Sequence, residues 1–207
     1  MPYNSLLTTP TPAHNRHAGL ALIEVLVTIV VMSFGLLAIA ITQLSAKRSA
    51  FEASQRTYAI YLAQDLIDRI RTNTPATTSY TTASPIGGSL TGSRPTCAAA
   101  SCTPQERAAQ DMWDWVSALR GAGVTVAGNA KTTLVEPRAC VAFTPDSILT
   151  QTGVLRVTLF WLPLGIDPNE APPDPNDLSC AERDPADPRW QRLSLDTYVF
   201  NIEDLNR

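Results

Sequence analysis

The sequence predicts an α+β protein: a long N-terminal helix whose second half packs on a small, mainly antiparallel sheet, with one shorter helix between. Three observations carry that expectation. An uncharged run of 22 residues, Val25–Ala46, leads directly into an apolar stripe at helical spacing. A proline-initiated, glycine-terminated helix pattern follows near Pro104–Gly121. Beyond it, three segments cluster or alternate apolar residues as strands do.

At about 1.5 Å per residue, the uncharged run covers roughly 30 Å as a helix, the thickness of a bilayer's hydrocarbon core. Past Lys47 and Arg48, the residues Ala59, Leu62, Ala63, Leu66, Ile67 and Ile70 form the i, i+3, i+4, i+7 face of an amphipathic helix. Asp65 and Arg69 stand four apart on its exposed side and support it. One helix is therefore expected from Leu20 to about Thr72, roughly 80 Å long. The Thr-, Ser-, Pro- and Gly-rich stretch Thr74–Gly92 reads as a loop rather than an element.

Thr103-Pro104-Gln105-Glu106 is a capping box with proline at the first helical position, and Gly121 is its natural stop. Trp113 and Trp115 on this helix are expected in the core. Strands are expected at Ala139–Phe143, Gly153–Leu162 and Leu193–Ile202. In the second, Leu155, Val157, Leu159 and Trp161 face the core and Arg156, Thr158 and Phe160 face away. Between the last two lies a segment dense in proline and acid. Its Asp167, Asn169, Asp174 and Asp177, with Glu170 and Asn176, are the candidates for oxygen ligation of calcium. With neither EF-hand spacing nor a central glycine, a solvated loop is the reading, and no metal or cofactor is expected.

Composition narrows the function classes. The 207 residues are 44% hydrophobic and 17% charged, with a formal charge of −3, which leaves no basic surplus for nucleic acid. The histidines are His14 and His17. Without the N-terminal segment the chain has no imidazole for a catalytic triad or a His-ligated zinc. The residues before Gly19 carry Arg16 and no acid, which suits a cytoplasmic side, although Lys47 and Arg48 weaken that argument. A cleaved secretory signal ending at Ala38-Ile39-Ala40 and a plain signal anchor are the alternatives. Neither explains Glu24, a carboxylate just inside the apolar run, where an acid costs on the order of 2.5–3.5 kcal/mol at mid-bilayer.

Ala18-Gly19-Leu20-Ala21-Leu22-Ile23-Glu24-Val25-Leu26-Val27 resembles the cleavage and methylation segment of type IV prepilins. Ser33-Phe34-Gly35-Leu36-Leu37 and Tyr58–Asn73, ending Arg69-Ile70-Arg71-Thr72-Asn73, are similar to minor pilins of the PilV type, the type IV pilus modification proteins. The resemblance implies the type IV pilin fold and cleavage between Gly19 and Leu20, with N-methylation of Leu20. That family usually begins its mature chain with Phe or Met, so Leu20 is a departure. Glu24 becomes the fifth mature residue and pairs with a terminal amine of its own or a neighbouring subunit during assembly.

The implied organisation is a leader over 1–19, a transmembrane half-helix over 20–46, an amphipathic half over 47–73 and a periplasmic globular region over 74–207. Implied partners are other minor pilins, the major pilin, the prepilin peptidase/N-methyltransferase and the inner membrane. The function the resemblance implies is priming of pilus assembly near the tip in a complex of minor pilins, in support of adhesion and twitching motility, without enzymatic activity. The rivals are a minor pseudopilin of a type II secretion system, a membrane-anchored periplasmic enzyme, and an adhesin role for the distal region. Four cysteines allow three pairings. An oxidising compartment favours Cys97–Cys102 as a local clasp and Cys140–Cys180 as a longer staple, with metal ligation disfavoured by their spacing.

Overall fold

The computed structural model describes residues 18–90, 92–97, 102–122, 125–126, 129–130, 134–163, 170–181 and 185–206; the side chains of 18–21, 125–126, 129–130 and 205–206 are not described. The chain divides into two units, Met1–Lys47 and Arg48–Arg207. Helix α1, Ala18–Arg71, runs for 54 residues through the division. The predicted helix is thus present, and the leader residues 1–17 lie outside the described residues.

In the first unit, every described side chain of α1 from Leu22 to Lys47 is exposed. Its hydroxyls are satisfied within the helix: Thr28 donates to the Val25 carbonyl (2.8 Å), Ser33 to Ile29 (2.7 Å) and Thr42 to Ile39 (2.8 Å). Such back-bonding removes the penalty of a bare hydroxyl in an apolar solvent.

In the second unit the helix acquires an inside. Ala59, Leu62, Ala63, Leu66 and Ile70 are at most 2% exposed, and Ile67 is also buried, so the predicted stripe is the buried face. It packs with Leu155, Val157 and Leu159 of the sheet and Trp115 and Leu119 of the second helix in one core. Each large aliphatic side chain buried there contributes about 1.5–3 kcal/mol.

Helix α2, Pro104–Leu119, begins with the predicted capping box. Thr103 accepts from the Glu106 amide (3.2 Å), and Glu106 accepts from the Thr103 amide (2.9 Å). It ends where Gly121 takes φ 81°, a left-handed value that a side chain disfavours.

A short pair of strands follows, β1 (Thr125–Val126) and β2 (Asn129–Ala130), which the apolar pattern does not announce. The main sheet has the order β3 (Val135–Pro145), β4 (Gly153–Leu162), β5 (Gln191–Val199), with both pairings antiparallel. Register places Val141 against Val157 and Val157 against Leu195, aligning the core-facing residues. At the β3–β4 turn a Cβ on Gly153 would meet the Thr144 carbonyl and lie 2.7 Å from Pro145 Cα, so this position requires glycine.

Four expectations need correction. The stretch Thr74–Gly92 is not all loop. It opens with a 3-10 helix, Thr74–Tyr80, and Ile86 bridges Ala139, laying the chain along the free edge of β3. The first strand is longer than Ala139–Phe143 and carries a bulge between Val135 and Arg138, with Glu136 at φ 47°. The last strand stops at Val199, and Ile202 opens a 3-10 turn instead. Finally, the outward face of β4 is not solvated: Thr158 and Phe160 are buried. Phe160 belongs to a second small core with Cys140, Leu162, Leu178 and Trp190, because the Pro- and Asp-rich segment folds over that face.

Candidate functional site

Gly19 and Leu20 lie in the first turns of α1, their side chains outside the description. Glu24 follows on the exposed surface, surrounded along the helix by Leu22, Ile23, Val25 and Leu26, all more than half exposed. Among the described residues no side chain pairs with Glu24, and the next charge along the chain is Lys47. A carboxylate on an apolar rod has no reward within its own subunit. In hydrocarbon it must find a cation or a proton.

The helix exit is built from each residue of the Arg-Ile-Arg-Thr-Asn motif. Arg69 bonds Asp65 at 2.9 Å and lies 3.7 Å from Asp111 of α2, so the pair expected on an exposed face instead reaches a second element. Ile70 is wholly buried, and Arg71 donates to Thr197 of β5 at 2.5 Å. Thr72 donates to the Arg69 carbonyl at 2.8 Å, closing the last turn. Asn73 donates to the Tyr80 hydroxyl (3.0 Å) and to the Pro104 carbonyl (2.7 Å), while Tyr80 donates to Asp111 (2.7 Å). Burial pushes the Tyr80 phenol well above its usual range, and its bond to Asp111 adds to this against the opposing bond from Asn73. The Trp115 indole donates to the Leu62 carbonyl at 2.8 Å. This network fixes the angle at which α1 meets α2 and the sheet.

The disulfides join Cys97 to Cys102 and Cys140 to Cys180, with Cα separations of 5.6 and 5.4 Å. The second closes a span of 40 residues and holds the acidic segment on the sheet's second face.

Of the calcium candidates, Asp167 and Asn169 lie outside the described residues. Asp174 is occupied as a turn cap, accepting from the Asn176 amide at 2.9 Å, and Asp177 lies exposed in the short 3-10 turn that Asp174 caps. Glu170 pairs with Arg189 at 3.1 Å. Among the described residues no three His, Cys, Asp or Glu side chains converge as a metal site would require.

Sequence reasoning missed a groove of about 780 Å³ between the Ser84–Leu90 segment, α2 and Arg138. Trp113, expected in the core, is only half-buried there, and its indole N–H has no acceptor among the described residues. No periodicity marks such a groove, because a loop supplies one of its walls.

With this geometry in place, comparison with known families is specific to the N-terminal half. Residues 14–40 match the model of the prokaryotic N-terminal methylation motif. Residues 41–113 are similar to the family described as Type IV pilin Tt1218 (Tt1218-like), whose model they match. No curated protein and no solved structure matches the chain. The long apolar helix and small three-stranded antiparallel sheet are consistent with the type IV pilin fold. Matches and fold together support a pilin subunit, processed by prepilin peptidase and assembled with other pilins. The matched family is structural rather than enzymatic. One window of α1, of mean hydropathy 2.6, is long and apolar enough to cross a membrane, which with the leader motif suggests anchoring there.

Proposed function

We propose that this chain is a minor pilin of the PilV type. It is cut between Gly19 and Leu20, methylated on Leu20, and held in the inner membrane by residues 20–46 with the region from 74 onward in the periplasm. It then joins other minor pilins in a complex that primes pilus assembly at the tip, supporting attachment and twitching.

The observation that carries this reading is Glu24, a carboxylate four residues beyond Leu20 on the half-helix whose large apolar residues, from Leu22 to Leu44, are all exposed. Such a surface needs lipid first and neighbouring subunits afterwards. The new amine of Leu20 supplies the cation that Glu24 lacks within the subunit. Within the second unit the exit of α1 is tied to α2 and β5 by Arg69, Asn73 and Arg71.

N-terminal mass spectrometry of the protein from sheared surface fibres tests the reading. A chain starting at methylated Leu20 is expected; one starting near Ile41 overturns it. Deletion that spares twitching but blocks protein secretion would assign the chain to a secretion pseudopilus instead.

A further inference from the structure

The two edges of the main sheet differ. Along β3 the chain covers its own edge: the Thr82 amide donates to the Val141 carbonyl (2.9 Å), and Ala139 and Ile86 exchange bonds of 2.8 and 2.9 Å. Those bonds turn the main chain of Val141 and Ala139 away from β4. Their partners on β4, Val157 and Leu159, therefore point theirs toward β5, opposite Leu195 and Leu193. By the same alternation Ser194 and Tyr198 aim their amides and carbonyls out of the sheet, where nothing among the described residues bonds them. One edge is closed by an extended segment of the chain itself, and the other is open.

The open edge borders exposed apolar surface. Among the described residues of the second unit six large apolar side chains are exposed, and five of them lie at one end of the sheet. Ile148 is in the β3–β4 turn, Val154 and Tyr198 face each other across β4 and β5, and Phe200 and Ile202 follow β5. The two turns are tied together. The Asn201 amide donates to the Thr152 hydroxyl (3.0 Å) and the Gln151 amide to the Asp204 carboxylate (2.9 Å), with Thr152, Asn201 and Asp204 buried. A fixed frame thus presents apolar side chains to solvent, which a protein without a partner there avoids.

On the other side of the same edge, a cleft of about 330 Å³ lies between Gln64 and Asp68 of α1 and Leu195 and Thr197 of β5. An open edge with apolar surface on one face and a cleft on the other fits an extended strand. Its main chain would bond the edge, and its alternate side chains would go to the two faces. Charge narrows the choice further. Asp146 and Glu203 flank the patch, and neither 144–155 nor 198–206 contains Lys or Arg. The arginines bordering β5 here, Arg71 and Arg156, already hold Asp68 and Asp196. Two copies packed patch to patch would set these acids against one another, whereas a basic segment would neutralise them.

We propose that the outer edge of β5 at Ser194 and Tyr198, with the patch of Val154, Phe200 and Ile202, receives an extended segment of a neighbouring pilin subunit. That segment is apolar, carries Lys or Arg, and joins the sheet as a further strand beside β5. The partner's identity rests on the pilin-subunit reading above, while the surface belongs to the second unit alone.

The test is photocrosslinking in piliated cells of the full-length chain carrying benzoylphenylalanine at Ile148, with exposed Tyr61, outside the patch, as the control position. Mass spectrometry of the adduct reads the joined peptide. Ile148 is expected to join a basic, apolar segment of a different pilin, and Tyr61 is not. Ser194→Pro removes the outward amide at a position where edge strands tolerate proline, and should cut the yield roughly ten-fold. Ser194→Ala, which keeps the amide and loses only the hydroxyl's bond to Thr158, should keep most of the yield. Glu203→Lys, at an exposed site, should cut it roughly ten-fold through like-charge repulsion, and decides the matter alone if the proline variant does not fold. An adduct with a second copy, a yield that Glu203→Lys leaves unchanged, or equal loss in Ser194→Ala and Ser194→Pro overturns the proposal. A chain recovered from sheared fibres that gives no Ile148 adduct refutes the strand site alone. A chain absent from fibres whose Ile148 joins a protein other than a pilin refutes the pilin-subunit reading, and the named partner with it.

Discussion

The two halves of α1 share one backbone geometry but differ in what surrounds them. From Leu22 to Leu44 the large apolar residues are between 44% and 74% exposed. From Ala59 to Ile70 the apolar stripe is 0–6% exposed. The second half has a polar face, so its sequence specifies one inside and one outside, and the sheet and α2 supply the inside. The first half is apolar all round, and its described side chains from Leu22 to Lys47 are all exposed. One half is finished by folding and the other by its surroundings, lipid or neighbouring subunits.

The comparison breaks most completely at its N-terminal end. Gly19→Trp should abolish processing, leaving a product longer by the leader on mass spectrometry; normal cleavage would show that the exposed half is not presented to a prepilin peptidase. Glu24→Val should insert into the membrane normally, yet its recovery in sheared fibres should fall on the order of ten-fold, the scale of one lost charge pairing in hydrocarbon. Undiminished recovery would mean that the bare half assembles by apolar packing alone.

Paired alanine substitutions sharpen the contrast. Leu66→Ala, at a wholly buried position, should destabilise the second unit by about 2–5 kcal/mol. Leu36→Ala, 67% exposed, should change it by less than about 0.5 kcal/mol. Denaturant unfolding followed by tryptophan fluorescence measures both, and equal effects would erase the distinction. Replacing Cys140 and Cys180 together with alanine should cost about 2–4 kcal/mol by the same measurement, with the loss confined to the second unit.

What could be read in the sequence follows the same division. The long helix, the capping box at Thr103 and the apolar alternation of β4 are local patterns whose period states their environment. The proposed role of Glu24 was legible because a charge in an apolar run stands out. The 3-10 helix at Thr74–Tyr80 was hidden by loop-like composition, since its order comes from Asn73, Tyr80 and Asp111, far apart in sequence. The burial of Phe160 was hidden for a related reason. Alternation predicts which residues share a face, but whether a face is covered depends on a segment about twenty residues away in the chain.

The smallest effect probes the same contrast with protons. Arg94 grips Asp114 of α2 through two bonds of 2.6 Å, and this arginine bond holds the Asp114 carboxyl below its ordinary range. A carboxylate whose folded pKa is depressed stabilises the fold above its unfolded pKa, about 3.9, and that stabilisation fades as pH falls toward the folded value. Because both partners are partly solvated, the effect should be only about 0.2–1 kcal/mol. Asp114→Asn should therefore be slightly less stable than wild type at neutral pH, and the gap should close as the solution is acidified below the ordinary carboxylate range. Unfolding midpoints at several pH values measure it. A gap that stays constant with pH would assign Asp114 a packing role rather than an electrostatic one. Between Val25 and Ala46 the exposed half contains no titratable side chain, so acid should leave that stretch of helix unchanged while it loosens the folded unit.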